Sequence, residues 1–251
     1  MNSKLLDLLA RPLALNPTRL APLLAAMEEG EEVKWRLKVD VGEDGINTVE
    51  ASGPIGRDGL PPLALAEAVE AAAQGANAVV LALDSPGGGV DDVGVAAERI
   101  AAVKVPVVVH TSGLLCSAAY WLASGANCIV AGPTAEVGSI GVYCPMLDMT
   151  GLFGMFGLKV ELAKTGELKG AGFPGTPWSD AQKANVQEMV EDIFADFKGA
   201  VDAYRPGVPD EAKTGGAYMA ARAYSMGLVD ELGGRDTAME LAALLAAAKQ
   251  K

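Results

Sequence analysis

Apolar and polar positions change their period several times along the chain, and each change marks an element. Residues 33–41 and 46–52 alternate apolar and polar side chains on either side of Gly42-Glu43-Asp44-Gly45, which predicts a hairpin with a glycine-bounded turn. The period lengthens over 63–74, an alanine-rich helix that Gly75 ends. Apolar runs at 78–83, 105–110 and 128–131 then take turns with helical stretches at 91–103 and 117–124. Runs without alternation are what strands covered on both faces show. Their order predicts a right-handed parallel sheet with flanking helices, an α/β fold.

Residues 133–178 are rich in glycine and proline and predict a long surface segment. The helical period returns at 180–204 behind Ser179, where Val186, Met189, Val190, Ile193, Phe194 and Phe197 predict one buried face. A helix near 220–226 and an alanine-rich helix from about Asp236 follow. Residues 1–29 read as two short helices that Asn16-Pro17-Thr18 separates. The expected organisation is a helical appendage over 1–30, a main domain over 31–235 and a C-terminal helix over 236–251.

Half of the 251 residues are hydrophobic, enough for a substantial core in one large domain. Glycine, proline or charge breaks each apolar run well short of the about 18 residues that a membrane span requires. Asp7 and Arg11 interrupt the leading apolar stretch, so neither a membrane span nor a secretion signal is expected. A formal net charge of −12 opposes nucleic acid and anionic membranes as main partners. Cys116, Cys128 and Cys144 are odd in number and lack CxxC spacing. They suit reduced thiols in a cytoplasmic protein, and no metal site or cofactor is expected.

Candidate chemistry gathers at 111–124, Thr-Ser-Gly-Leu-Leu-Cys-Ser-Ala-Ala-Tyr-Trp-Leu-Ala-Ser, where Ser117 stands between a strand and a helix. A serine there has two readings: a helix N-cap, or a nucleophile beside unpaired N–H groups that favour an oxyanion. Asp84-Ser85-Pro86-Gly87-Gly88-Gly89 follows the preceding strand. Loops at the carboxyl ends of parallel strands open into the same crevice, so the glycines and Ser117 are expected to face each other. Glycine lets backbone N–H groups point into such a crevice, and Gly88 with Ala118 makes a candidate oxyanion hole. No Lys-Ser/Thr pair follows the glycines, which disfavours a phosphate loop.

A serine nucleophile also needs a base. The single histidine, His110, ends the strand before Ser117 and could approach the same crevice, but reads more readily as a partly buried strand-end residue. Lys169 stands among Gly, Ala, Phe and Pro; burial without a carboxylate would favour the neutral amine, the base of Ser-Lys schemes. Lys164 is an alternative by sequence, and Cys116 is a rival nucleophile without a helix-opening position of its own.

Five segments together, Ser-Pro-Gly-Gly-Gly at 85–89, Ser-Ala-Ala-Tyr-Trp-Leu-Ala at 117–123, Gly-Ser-Ile-Gly-Val at 138–142, Lys-Thr-Gly-Glu-Leu-Lys at 164–169 and Gly-Leu-Val-Asp-Glu-Leu-Gly at 227–233, resemble the signal peptide peptidase A family of serine proteases. The resemblance covers roughly residues 78–234, and the 52-residue interval from Ser117 to Lys169 is similar to that of the shorter members. It implies a ClpP/crotonase-like fold and a Ser-Lys dyad with Ser117 as nucleophile and Lys169 as general base. By the same resemblance Gly88 and Ala118 form the oxyanion hole, Gly87 supports it, Ser139 orients the lysine, and the assembly is a ring-like homo-oligomer. The chain departs from the family pattern at Ala118-Ala119, where many members have Gly-Gly, and at Cys116, where alanine is frequent. Neither change removes a catalytic group. Arg-Pro-Leu-Ala-Leu-Asn-Pro at 11–17 and the lack of a membrane anchor are more similar to the head-maturation proteases of tailed phages.

The expectation is a cytoplasmic serine endopeptidase, in the host cytoplasm if phage-encoded. It would need no cofactor, cut a protein or peptide substrate after small or apolar residues, and process scaffold and capsid proteins in phage head assembly. Three other readings accompany it: a housekeeping peptidase of signal and membrane-derived peptides, a catalytically silent assembly protein, and a crotonase-type acyl-CoA enzyme.

Overall fold

A computed structural model describes residues 11–20, 24–25 and 34–249. Its first element corrects the helical reading of the leading residues. Leu13–Leu15 is a strand (β1), and Asn16 caps a turn of 3-10 helix at Pro17–Arg19. Pairing with distant segments makes this strand, so local period does not announce it. Leu20, Leu24 and Ala25 are helical, and the remainder of that reading lies outside the described residues.

The expected hairpin follows as β2 (Arg36–Asp40) and β3 (Ile46–Ser52), paired antiparallel. Then come α1 (Pro62–Ala73), β4 (Ala78–Asp84), β5 (Gly87–Gly89), α2 (Val93–Ala101), β6 (Val107–Thr111), β7 (Leu114–Cys116), α3 (Ala118–Ser124), β8 (Cys128–Ala131) and β9 (Glu136–Gly138). The second half holds α4 (Thr150–Met155), α5 (Asp180–Tyr204), β10 (Ala217–Met219), α6 (Ala220–Ser225), β11 (Glu231–Leu232) and α7 (Arg235–Lys249).

The main sheet runs β11-β8-β6-β4-β3-β2 and is parallel except at the β2–β3 hairpin. Successive side chains of a strand leave on opposite faces. Val79, Leu81 and Leu83 therefore pack into the layer that holds α1, α2 and α3, while Ala78 and Val80 meet α7. Both faces are covered, which is why the strands read as unbroken apolar runs. On α7, Ala238, Ala242 and Ala246 stand four residues apart and give the sheet a small-residue face. A second sheet, β10-β9-β7, joins β7 to the later part of the chain, and β1 pairs with β5.

Long helix α5 starts at a capping box between Ser179 and Gln182. Only part of its predicted apolar face is buried. Phe197 stacks on Trp121 with ring centroids 4.8 Å apart and planes 6° apart, and Val201 is buried beside it, but Met189 is 46% exposed. Ile193 and Phe194 are partly buried against the core, and Phe194 with Val190 also walls a cleft that contains Ser139. At the far end Arg205, buried, forms an ion pair with Asp230 at 2.6 Å. Its Nε donates to Ser124 O and its Nη2 to Ala126 O, so one guanidinium ties the end of α5 to the end of α3 and to the approach to β11. All three cysteines are free. Burial pushes the Cys128 thiol up to about 11, which keeps it inert.

Two stability predictions follow from these buried groups. Arg205→Ala leaves the Ser124 and Ala126 carbonyls and Asp230 without their cation, and chemical denaturation should show a loss of about 3 kcal/mol; a change below about 0.5 kcal/mol would contradict the tie. His110, on β6, is held below its ordinary value of 6.5, first by burial and then by the charge of Arg235. The unfolded chain therefore binds this proton more readily. Its contribution is complete above the ordinary histidine range and lost as pH falls through it. Between about pH 7 and pH 5 the stability of His110→Phe should fall less steeply than that of wild type, as unfolding free energies across that range will read.

Candidate active site

Ser117 closes β7 and opens α3, and its backbone is left-handed, with φ 55° and ψ −119°. Such a conformation costs a non-glycine residue about 1–3 kcal/mol and persists only where its surroundings impose it. Here they do. The Ser117 N–H donates to Gly138 O at 2.7 Å, and its carbonyl accepts from the Trp121 N–H at 2.9 Å. Pairing of β7 with β9 thus holds one side of the turn and the first turn of α3 the other. The side chain makes no cap bond; among the described residues its Oγ has one long hydrogen bond, to Gly141 O at 3.4 Å. The N-cap reading therefore fails, and the hydroxyl is left available, although the residue is only 1% exposed.

The glycine strand is laced to the same turn. Ser85 N–H donates to Leu114 O at 2.7 Å, Cys116 N–H to Ser85 O at 3.1 Å, and Gly87 N–H to Ser85 Oγ at 3.2 Å. Gly87 has φ 90°, and a methyl there would stand 2.9 Å from both Ser117 Cβ and Cys116 O. At Gly88 a methyl would come within 1.9 Å of Ile55 O. Neither position tolerates a side chain, because the atoms in the way are mostly backbone. The two motifs do face each other, as their places in the chain predict.

Ser139 is a second left-handed serine, with φ 53°; it is buried, and its N–H donates to Gly216 O at 2.7 Å. It lines a cleft of about 530 Å³ with Leu15, Val142, Tyr143, Phe194 and Lys213.

The expected bases fare differently. Lys169 is exposed, its side chain has no hydrogen bond or ion pair among the described residues, and no hydrogen bond joins it to Ser117. The burial expected of it is absent because the segment that carries it stands off the core; no residue of α4 is buried. Lys164 is exposed too, its Nζ donating to Glu167 O at 2.9 Å. Among the described residues the buried lysine is Lys213, 7% exposed and ion-paired with Asp202 and, at 3.2 Å, with Asp210, so it is engaged as a structural cation. His110 shares the sheet face of Val108, which packs towards α7, whereas α3 packs on the other face; its imidazole therefore looks away from Ser117. Cys116 is fully buried, and its Sγ donates to Glu136 O at 3.4 Å, a packing role.

Two residues near the site escaped the sequence reading, Asn16 and Tyr143. Asn16 Nδ2 donates to Glu136 Oε1 at 2.7 Å, and Tyr143 pairs with Leu13 through both backbone groups. The one available signal was Pro17, whose ring would clash with the carbonyl of residue 13 in a helix running through 13–17.

Ser117 thus stands buried and without a cap bond on a strained strand-to-helix turn, set against a glycine strand in a parallel α/β sheet. The sequence model of peptidase family S49 matches residues 99–249, and the chain belongs to that family of peptide hydrolases. It is 31% identical to Protease 4 of Salmonella typhi over 179 residues, 69% of this chain and 29% of that protein. A Methanocaldococcus jannaschii protein described as a protease is 34% identical over 171 residues, 64% of this chain and 54% of its own length. An Enterococcus faecium protein described as a signal peptide peptidase, SppA, is 28% identical over 168 residues, 64% and 49% of the two chains. The chain thus spans about half or less of the length of these three relatives. Among solved structures, human enoyl coenzyme A hydratase domain-containing protein 3 superposes with a TM-score of 0.50 at 12% identity, covering 84% of this chain and 77% of that one. That likeness shows the crotonase-like fold.

Gly87→Ala would force a methyl against Ser117 at a left-handed φ. Peptide cleavage by this variant should drop by about 10²-fold or more. Gly151→Ala, where nothing lies within 4 Å, should cleave as wild type does. Wild-type rates in Gly87→Ala would remove the glycine strand from the site.

Proposed function

We propose that this chain is a serine endopeptidase in which Ser117 attacks a peptide carbonyl and Lys169 takes the hydroxyl proton and passes it to the leaving amine. Water then hydrolyses the acyl-enzyme. The observation that carries this reading is the buried Ser117 hydroxyl, free of any capping bond and held by strained backbone beside a glycine strand. In this scheme the N–H groups of Gly88 and Ala118 receive the oxyanion, Gly87 leaves room beside the hydroxyl, and Ser139 orients the amine. Membership of family S49 supports it.

The lysine has to be brought to the serine. Lys169 sits on an outward segment whose Met146, Leu147, Leu152, Met155, Phe156 and Leu158 are exposed. Large apolar side chains left in water over one short segment mark an interaction surface, and a second copy of the chain would cover it. Homo-oligomerisation is therefore the state in which Lys169, from the same copy or a neighbour, loses water and meets Ser117. The substrate is protein or peptide, with a small residue before the cut to suit the glycines and Ala118. Clearance of peptides fits the relative described as a signal peptide peptidase; processing of phage scaffold and capsid proteins rests on the likeness of residues 11–17 alone.

Cleavage of casein by wild type, Ser117→Ala and Lys169→Ala tests the dyad. Each substitution should lower the rate by at least about 10³-fold. Mixing the two variants before assembly should restore part of the activity if the lysine comes from a neighbour. Activity that survives in both variants would sink the dyad. A silent wild type would favour the assembly-protein reading, and binding of a CoA thioester the acyl-CoA one.

A further inference from the structure

Strand β1 lies where a substrate of such an enzyme would lie. It pairs antiparallel with β5, Leu13 opposite Gly89, Ala14 opposite Gly88 and Leu15 opposite Gly87. Its other edge is occupied as well: Leu13 N–H donates to Tyr143 O at 2.6 Å, and Tyr143 N–H to Leu13 O at 3.0 Å. Leu13–Leu15 is thus an extended peptide held between two backbones, the geometry of peptide recognition by strand addition. Its side chains are at most 2% exposed. Just downstream Asn16 ties it down, its N–H donating to Pro86 O at 2.9 Å and its Nδ2 to Glu136.

This pose brings one peptide bond to the serine. Gly87 O and Gly89 N–H are both bonded to Ile55. Backbone groups alternate along a strand, so the Gly88 N–H turns to the other edge, towards its partner Ala14. Gly88 is the donor that the proposed mechanism assigns to the oxyanion. The point where Gly87 lacks a Cβ is 2.3 Å from Ala14 O and 2.9 Å from Ser117 Cβ. Ala14 O and Ser117 Cβ therefore face each other across that gap, no farther apart than the sum of those two distances. Ala14 is the small residue such a site accepts, and Leu15 lines the cleft with Ser139, Ile140 and Gly141, as a side chain beyond the cut would.

We propose that the Ala14–Leu15 bond is a self-processing site, and that until it is cut the leading strand keeps other peptides out of the groove. The inference rests on the peptidase reading above. Ser117 Oγ bonds to the Ala14 carbonyl carbon, the hydroxyl proton passes through the base to the Leu15 nitrogen, and the C–N bond breaks. Water then adds to the ester, leaving a carboxyl group on Ala14 and restoring the Ser117 hydroxyl. The new amino terminus at Leu15 stays tied through Asn16. Departure of Leu13 and Ala14 frees the edges of Gly88, Gly89 and Tyr143 for the next peptide.

The test follows the full-length chain over time by intact mass and N-terminal sequencing while casein cleavage is measured in the same samples. Wild type should acquire a new amino terminus at Leu15 as its casein rate rises, and Ser117→Ala should stay whole. Leu15→Pro makes the leaving amine a proline nitrogen; Asn16 N–H bonds to Pro86 O, so by alternation the Leu15 N–H turns away from β5 and its loss spares that pairing. It should stay whole and cleave casein at least about tenfold more slowly, because the groove stays occupied. Wild type that cleaves casein with its leading residues intact, or that cuts itself at another bond, would overturn the self-processing site and leave the peptidase reading standing. A Leu15→Pro variant as fast as wild type would overturn the blocking role. Wild type that cuts neither itself nor casein would overturn both readings.

Discussion

The left-handed backbone of Ser117 is the constraint on which the rest of the site depends. A serine at φ 55° is strained, and it would relax if either neighbour could turn. Neither can. Ahead of it, β7 is fixed in the small sheet, and Gly138, itself at φ 113°, presents the carbonyl that receives the Ser117 N–H. Behind it, all seven residues of α3 are buried. Tyr120 Oη donates to Leu228 O at 3.0 Å, Trp121 stacks on Phe197, and Arg205 holds the carbonyls at the far end. Elements far along the chain, β9, α5 and the approach to β11, thus serve the angle of one residue.

What the sequence discloses and what it hides follow from the range of the forces involved. Strands β4, β6 and β8 were legible because burial on both faces writes an unbroken apolar run into the chain. The start of α5 was legible because Ser179 and Gln182 satisfy local backbone groups. Strand β1 was not, since three residues carry no period and their state is imposed by Gly87–Gly89 and Tyr143, far away in sequence. Burial of lysines was misread for a related reason. The apolar neighbours of Lys169 suggested a dry site, but those neighbours are themselves in water. Lys213, in a polar stretch, is buried by carboxylates that include Asp202 on α5. Local composition reports which residues are near in the chain, not which element covers them.

The unburied half of α5 and the outward segment near Lys169 belong to one physical problem. Phe194 packs on the core as expected and, with Val190, also lines the cleft that holds Ser139 and Leu15. A helix face that walls a groove is apolar for the same reason as one that meets a core, so periodicity cannot separate the two. The large apolar side chains around α4 have no such groove. Their exposure and that of Lys169 coincide on one segment, so whatever covers the first would also change the surroundings of the second.

Fold alone does not select the chemistry. A protein named for enoyl coenzyme A hydratase shares this fold at 12% identity, and a glycine strand beside a helix start can polarise any acyl carbonyl. An enzyme that needs only such polarisation has no use for a nucleophile at the turn, where an unstrained residue would be more stable. This chain keeps a serine there, leaves its hydroxyl out of the helix cap, and clears the space in front of it by placing glycine at 87 and 88. Strain that persists without a structural return points to function, and the proposed attack on a carbonyl held at Gly88 would account for it at Ser117.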